Sequence, residues 1–235
     1  MFFRYLTNSS SSDILHKINL LCLNLQRVDD VSFVINISSM TNFKKVSLLS
    51  AETLYLQIYN LKEKLGKLES EYWQLTSNVE TWYFWFNISF FFIPLFILYK
   101  FIDRERIFEI TFYGYSVHMI SSKVNGALEA NNLVVHPHDL TSLFPSGMTV
   151  TAVILPVAYM LLYQYCTKKN KNFYVYALLL TMFIAYGLDY VFVLSDYLRL
   201  NKGMNLTYLL LLNFLVASLA YWLTYLFRWI KMQTK

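Results

Sequence analysis

Asp189 is the residue of this sequence whose surroundings most strongly indicate chemistry. It stands inside the apolar run AYGLDYVF. A carboxylate at bilayer depth costs about 2.5–3.5 kcal/mol on insertion scales, so it must face protein, find a partner or be protonated. The functional interpretation is a contact with an ion, a proton or a substrate. The structural alternative is a carboxyl near the membrane interface, hydrogen-bonded to Tyr or Ser, because Asp196 follows closely.

A second group of candidate residues surrounds Pro156, in another apolar segment. A proline inside a span opens the backbone ladder, and the freed carbonyls can line a polar cavity. Tyr159 and Gln164 follow Pro156 and, together with Asp189, form the set that we predict as substrate or ion contacts. The simpler interpretation of Pro156 is a packed kink.

The third group is the sequence HPHD, which contains His136, Pro137, His138 and Asp139. Imidazole and carboxylate ligands suit zinc, and Pro137 favours an extended backbone that places both histidines on one side. A structural site needs a further ligand. The sequence therefore favours a solvent-exposed turn, with His136, His138 and Asp139 as weak metal candidates only.

Motifs of the common enzyme classes are missing from the sequence. It has no P-loop, no G-x-S-x-G and no H-E-x-x-H, and its 6 glycines make a nucleotide-binding loop improbable. We therefore predict a protein that is not an enzyme, with no catalytic residue and no cofactor. The formal charge of +5 does not predict nucleic-acid binding, because the basic residues cluster beside apolar runs.

Composition indicates that lipid is the solvent of these residues. Hydrophobic residues make up 56% of the chain and charged residues 15%, against about 25% charged in a typical soluble domain. A soluble fold of this size would expose large apolar patches and aggregate. Four segments read as clear membrane spans and a fifth as a weaker one. The clear spans are 82–101, 148–166, 173–194 and 204–227, and the weaker one is 107–122.

The fold class that follows is all-α, a polytopic membrane helix bundle preceded by a coiled-coil helix. The weak segment carries Glu109, which we expect to pair with Arg106 one turn earlier. If it spans, there are five transmembrane helices; the alternative is four. With five helices, nine basic residues lie on one side of the membrane and three on the other. Because basic residues favour the cytoplasmic side, this predicts a multi-pass protein of the cell membrane with a cytoplasmic C-terminus. The nine are Lys100, Arg104, Arg106, Lys168, Lys169, Lys171, Arg228, Lys231 and Lys235, and the three are Lys123, Arg199 and Lys202.

A heptad seam precedes the first span. Apolar residues in residues 51–82 recur at alternating steps of three and four, which is the a/d pattern of a coiled coil. We predict self-association, or binding to another membrane or envelope protein, through this seam; the alternative is an amphipathic helix that packs on its own chain. The seam continues into the first span without a Gly or Pro. Its oligomerisation residues are Leu54, Ile58, Leu61, Leu65, Leu68, Tyr72 and Leu75.

The sequence predicts three regions: a poorly defined N-terminal region 1–46, a coiled-coil or amphipathic helix 47–81 and a transmembrane bundle 82–235. Within the first region, residues 13–27 have helical spacing, and residues 31–37 (VSFVINI) alternate like a strand. Translation from Met1 and translation from Met40 both remain open.

From Glu69 onward, the sequence resembles a family of small, uncharacterised multi-helix membrane proteins of endospore-forming Firmicutes. Matching blocks occur in order over roughly 165 residues. The resemblance implies five spans with a helical lead-in and supplies no reaction. It also implies acidic residues at two positions that are neutral here, Asn125 and Thr151. The blocks are EYWQ with TWYFWF, IPLFILYKFIDRERIFEITFYGYSVH, HPHDLTSLFP, LPVAYMLLYQY and NKGMN.

Overall fold

The structure, a computed structural model, describes residues 31–144 and 146–233, with side chains from residue 50 onward. The chain divides into two units, residues 1–62 and residues 63–235. The helical spacing at residues 13–27 lies outside the described residues. The described elements are seven α-helices, one 3-10 helix (Arg104–Arg106), two π-helical segments and two short strands. The helices are α1 (Val31–Thr76), α2 (Trp82–Phe101), α3 (Ile107–Ala130), α4 (Leu155–Lys168), α5 (Phe173–Phe183), α6 (Tyr190–Leu194) and α7 (Leu206–Gln233); the π segments are Thr149–Ile154 and Ile184–Asp189, and the strands are β1 (Val134–Val135) and β2 (Arg199–Leu200).

Helix α1 corrects two expectations. The alternating segment 31–37, predicted as a strand, is helical, because a helix satisfies its backbone groups internally and a lone strand has no partner. The seam also does not run on into the first span, since α1 ends at Thr76. Asn78 forms the turn that follows: its carboxamide oxygen accepts the Glu80 backbone N–H at 2.9 Å, and its carbonyl accepts that of Thr81 at 3.0 Å.

Four helical stretches are long and apolar enough to cross a membrane, which confirms the all-α class and is compatible with the four clear spans. The second and third stretches each combine α-helix with a π segment. Helix α2 continues through Pro94, although a proline removes one backbone hydrogen bond. The four stretches are Trp82–Phe101, Thr149–Lys168, Phe173–Leu194 and Leu206–Gln233.

Helix α3 contains the weak segment and forms the centre of the bundle. Ile110, Tyr113 and Val117 are completely buried, and the helix packs against α4 and α7. The Tyr113 ring stacks on Tyr163 with centroids 4.6 Å apart. This covered face also contains buried serines, whereas other polar residues of the helix, such as Thr111, are exposed.

The expected pair between Glu109 and Arg106 is wrong. Arg106 instead pairs with Asp103 at 3.2 Å, and Glu109 pairs with Arg228 of α7 at 3.2 Å. The Tyr163 hydroxyl also donates a hydrogen bond to Glu109. Tertiary partners therefore replace the local partner that helix spacing suggested.

Polar contacts join the elements at both ends of the bundle. At one end, Gln164 of α4 accepts the Asp103 backbone N–H at 2.8 Å, beside the Glu109–Arg228 pair that joins α3 to α7. At the other end, β1 pairs antiparallel with β2, and Lys202 donates to the carbonyl of Asn131 at the end of α3. Helices α3 and α7 therefore run antiparallel along the same length of the bundle.

Candidate functional site

A proline and a π segment together open the backbone ladder of the second span. In the π segment, the Leu155 N–H donates to the carbonyl of Val150, five residues earlier. The next residue, Pro156, has no N–H, so the carbonyl of Thr151 lacks a donor in that register. It accepts the Ser121 hydroxyl at 3.2 Å instead, and His118 Nδ1 lies 3.1 Å from it. The proline thus frees a carbonyl, which takes partners from α3.

A cavity of about 50 Å³ lies beside this carbonyl, and a single water needs only about 10–15 Å³. Apolar side chains form most of its wall. Six polar residues, contributed by α3, the HPHD loop, both π segments and α7, complete it. They are Ser121, Asn125, His136, Thr151, Asp189 and Asn213.

Asp189 is the last residue of the second π segment and is only 5% exposed. Its carboxyl group has no hydrogen bond or ion pair with any residue in the described ranges. The nearby Tyr159 hydroxyl is hydrogen-bonded to Thr181 at 3.1 Å instead. The partner that the structural alternative required, a Tyr or Ser near the interface, is thus missing among these residues, and the carboxyl faces the cavity.

The structure separates the four predicted substrate or ion contacts. Asp189 lines the cavity, and Pro156 shapes it by freeing a carbonyl. Gln164 lies at the opposite end, where its amide nitrogen donates to the carbonyl of Phe101 at 2.9 Å and closes the end of α2. Tyr159 is buried between helices and does not line the cavity.

Five of the six polar cavity residues were not among those predicted contacts, namely Ser121, Asn125, His136, Thr151 and Asn213. Asn213 had a visible signal, since it is an amide side chain inside one of the long apolar stretches. Asn125 and Thr151 are the two positions at which the family resemblance implies acidic residues, and both line this cavity.

The HPHD loop is not the solvent-exposed turn that the sequence favoured, since His138 is buried. Its ring stacks on Tyr83 with centroids 3.5 Å apart, and its Nδ1 lies 3.0 Å from the Ser77 hydroxyl. The Asn87 side chain donates to its carbonyl at 2.9 Å. His138 therefore connects the turn after α1, helix α2 and the loop.

His136 has different surroundings from His138. Its Nδ1 is buried without a hydrogen-bond partner among the described residues. A Cβ on Gly147, which has a φ of +68°, would lie 2.6 Å from the imidazole Cε1, so only glycine fits against this ring. Burial lowers the pKa of His136 to about 4, which keeps the imidazole neutral at neutral pH.

Asp139 is held by the same segment. Its carboxylate accepts the Gly147 backbone N–H at 2.8 Å, and its carbonyl accepts the Trp73 indole N–H at 3.1 Å. Burial raises the pKa of Asp139 to about 7, although the bond from Gly147 opposes the shift. Within residues 31–144 and 146–233, no group of three or more His, Cys, Asp or Glu side chains could hold a metal ion.

An open cleft of about 360 Å³ lies outside the HPHD loop. It carries three carboxyl groups, from Glu69, Glu129 and Asp139, together with the ring of Trp73. His136 lines both this cleft and the cavity of about 50 Å³. The imidazole thus separates an acidic opening from the cavity that contains Asp189.

Comparison with known families, curated proteins and solved structures finds no match for this chain. The resemblance to the endospore-former membrane proteins therefore stays a prediction.

Proposed function

We propose that this chain is an integral membrane protein of the cell membrane, without enzyme activity, that assembles with a second copy of itself through α1 and serves as a scaffold or sensor. The observation that carries the proposal is the exposure of the seam. Its seven apolar side chains lie on one helix and are between 44% and 81% exposed. They are Leu54, Ile58, Leu61, Leu65, Leu68, Tyr72 and Leu75.

A second copy of the chain fits this seam. Apolar residues at a and d positions pack as knobs into the holes of an identical helix, and a continuous apolar stripe on a monomer favours association. In a parallel pair, Lys64 at a g position faces Glu69 at the following e position of the partner helix, so the flanking charges are complementary. Another membrane or envelope protein with a matching heptad would be the alternative partner.

Five membrane spans are part of the proposal. Helix α3 has 24 residues, which at about 1.5 Å per residue exceeds a 30 Å hydrocarbon core. Contacts at its two ends support this: Glu109 meets Arg228 near the end of α7, and Asn131 meets Lys202 just before α7 begins. A helix that matches a membrane-length neighbour from end to end crosses the same layer.

The C-terminus is cytoplasmic in this proposal. With five spans, the ends of α2 and α4, the start of α3 and the end of α7 share one side. That side carries nine basic residues, against three on the other, and basic residues favour the cytoplasmic face.

Replacing Leu61 and Leu68 by Asp tests the assembly. We expect the double variant to become monomeric in mild detergent, because each buried seam position would place a carboxylate in the apolar interface. Mass photometry and crosslinking of the full chain measure the oligomeric state.

The matched control is Asn60→Asp with Ser70→Asp, which introduces the same charges at c and f positions, away from the seam. We expect this control to keep the wild-type oligomeric state. An unchanged oligomer in the Leu61→Asp, Leu68→Asp protein would overturn the proposal.

A second candidate function is a small transporter or channel subunit. One observation favours it: an unpartnered carboxyl group, Asp189, lines a cavity within a predicted span. Ionisable groups at such depth commonly belong to ion or proton pathways.

A further inference from the structure

Among the described residues, none provides a positive counter-charge for the carboxyl group of Asp189. Neither Lys nor Arg lines the cavity, and the low pKa of His136 leaves its imidazole uncharged at neutral pH. An isolated buried carboxylate is strongly unfavourable, so the site must take up a positive charge or a proton.

The remaining polar groups of the cavity offer oxygen atoms. Asn125 uses its amide nitrogen to donate to the carbonyl of Ser146 at 3.1 Å, which leaves its carboxamide oxygen available. Asn213 makes no side-chain hydrogen bond to any described residue. The hydroxyls of Ser121 and Thr151 donate to backbone carbonyls, so their lone pairs can still accept or coordinate.

We propose that this cavity binds one dehydrated sodium ion, with Asp189 as the charged ligand and Asn125, Asn213, Ser121 and Thr151 as the neutral oxygen donors. This proposal deepens the second candidate function, because it names the ion that a transporter would carry. The transport of sodium rests on that function, whereas the binding of sodium does not. In membrane transporters, oxygen atoms at interrupted helices coordinate sodium, and buried carboxylates mark ion pathways.

Charge and size select a monovalent ion over a divalent one. A single carboxylate neutralises a single positive charge, whereas a divalent ion would leave a net charge in the membrane and usually draws on several carboxylates. A volume of about 50 Å³ excludes large organic cations. The acidic cleft beyond His136, with Glu69, Glu129 and Asp139, raises the local concentration of cations at the entrance.

Thermal unfolding of the purified full chain in mild detergent tests binding. Sodium chloride is titrated against choline chloride at constant ionic strength and pH 8, because choline is too large for the cavity. We expect the unfolding temperature to rise with sodium by roughly 3–5 °C for each tenfold increase above the dissociation constant. An equal response to both salts would overturn the proposal and leave a protonated carboxyl as the explanation.

The Asp189→Asn variant should lose the sodium response, since it lacks the charged ligand. The matched control is Asp196→Asn, which removes a carboxylate seven residues away, in an exposed pair with Arg199. It should respond to sodium as the wild type does. A sodium response that persists in Asp189→Asn would overturn the proposal.

A measurement on the wild type covers the case in which Asp189→Asn does not fold. Dicyclohexylcarbodiimide modifies protonated carboxyl groups in apolar surroundings, and mass spectrometry locates the adduct. We expect adduct formation at Asp189 to fall several-fold with sodium and to stay unchanged with choline. Modification that is insensitive to sodium would contradict the site.

Sodium flux into proteoliposomes separates the site from the transport function. Sodium binding without flux would keep the site and remove the transporter. Flux that is unaffected by Asp189→Asn would show transport by another route and exclude this site from it.

Discussion

At the scale of single residues, His136 and Asp139 show opposite effects of burial within one loop. The pKa of His136 falls to about 4 and that of Asp139 rises to about 7, because burial favours the uncharged form of each group. Below about pH 7, the protonated Asp139 side chain and the neutral imidazole share the wall of the cleft. Their contributions to the pH dependence of stability must therefore have opposite signs.

Between about pH 4 and pH 7, folded Asp139 retains a proton that the unfolded chain has released, so its contribution makes stability fall as pH rises. Between about pH 4 and pH 6.5, the unfolded chain protonates His136 and the folded chain does not, so stability rises with pH. The two slopes oppose each other over the shared range. Burial also lowers the pKa of His138, which adds to the histidine slope.

We expect single variants to separate these slopes. Asp139→Asn should leave a stability that rises from pH 4.5 to 6.5, and His136→Gln should shift the slope in the opposite direction. Each group contributes at most about 1.4 kcal/mol per pH unit. Unfolding by denaturant in mild detergent across this pH range measures both. Two variants with the same pH slope would contradict the assignment.

The sequence indicated part of the candidate site. A carboxylate within an apolar run identified Asp189, because the cost of charge at bilayer depth is independent of the fold. The sequence could not show whether Gln164 and Tyr159 belong to the site, since their roles depend on which neighbours the fold supplies. Ser121 became part of the site through the carbonyl of Thr151, which is free only because a π segment and Pro156 coincide.

At the scale of elements, the spacing of apolar residues predicted most helices. Helix spacing failed to predict side-chain pairs whose partners lie far apart in sequence. Periodicity revealed α1, and continuous hydrophobicity revealed the four long apolar stretches, because both signals are local in sequence. The π segments leave no such pattern, since they add one residue to a turn without changing composition. The strand expected at 31–37 failed because seven alternating residues also fit a helix.

The contact between Glu109 of α3 and Arg228 of α7 provides a test at this scale. We expect a double-mutant cycle with Glu109→Gln and Arg228→Gln to give a coupling of about 0.5–1 kcal/mol, because the pair is only partly exposed. Denaturant unfolding of the four proteins in mild detergent measures it. A parallel cycle on Glu109 and Arg106, which are not paired, should give no coupling. A larger coupling energy for Glu109 with Arg106 than for Glu109 with Arg228 would contradict the structure.

At the scale of the whole molecule, composition and the number of long apolar stretches were predictable, and sidedness stays a prediction. A hydropathy pattern reports whether a segment tolerates lipid on all sides. It is ambiguous for α3, which combines buried serines with exposed polar residues such as Thr111 and Lys123. Whether α3 spans decides on which side the turn before α2 lies.

Cysteine labelling decides between five and four spans. In a protein whose Cys22 and Cys166 are replaced by Ala, single cysteines are placed at Glu80, Asn170 and Lys202 and treated in intact cells with an impermeant maleimide. With five spans, residue 80 should label together with residue 202, whereas residue 170 should label only after the cells are opened. Labelling of residue 80 together with residue 170 would favour four spans.

The turn at residues 77–81 has a mechanical consequence if α1 pairs with a copy of itself, as proposed. A continuous helix would transmit torque from a supercoil directly into α2. Here α1 stops at Thr76, and the Ser77 hydroxyl meets the ring of His138, which is stacked on Tyr83. Twisting of the end of α1 would therefore load this imidazole contact first, and the loop next to the acidic cleft would take up the strain.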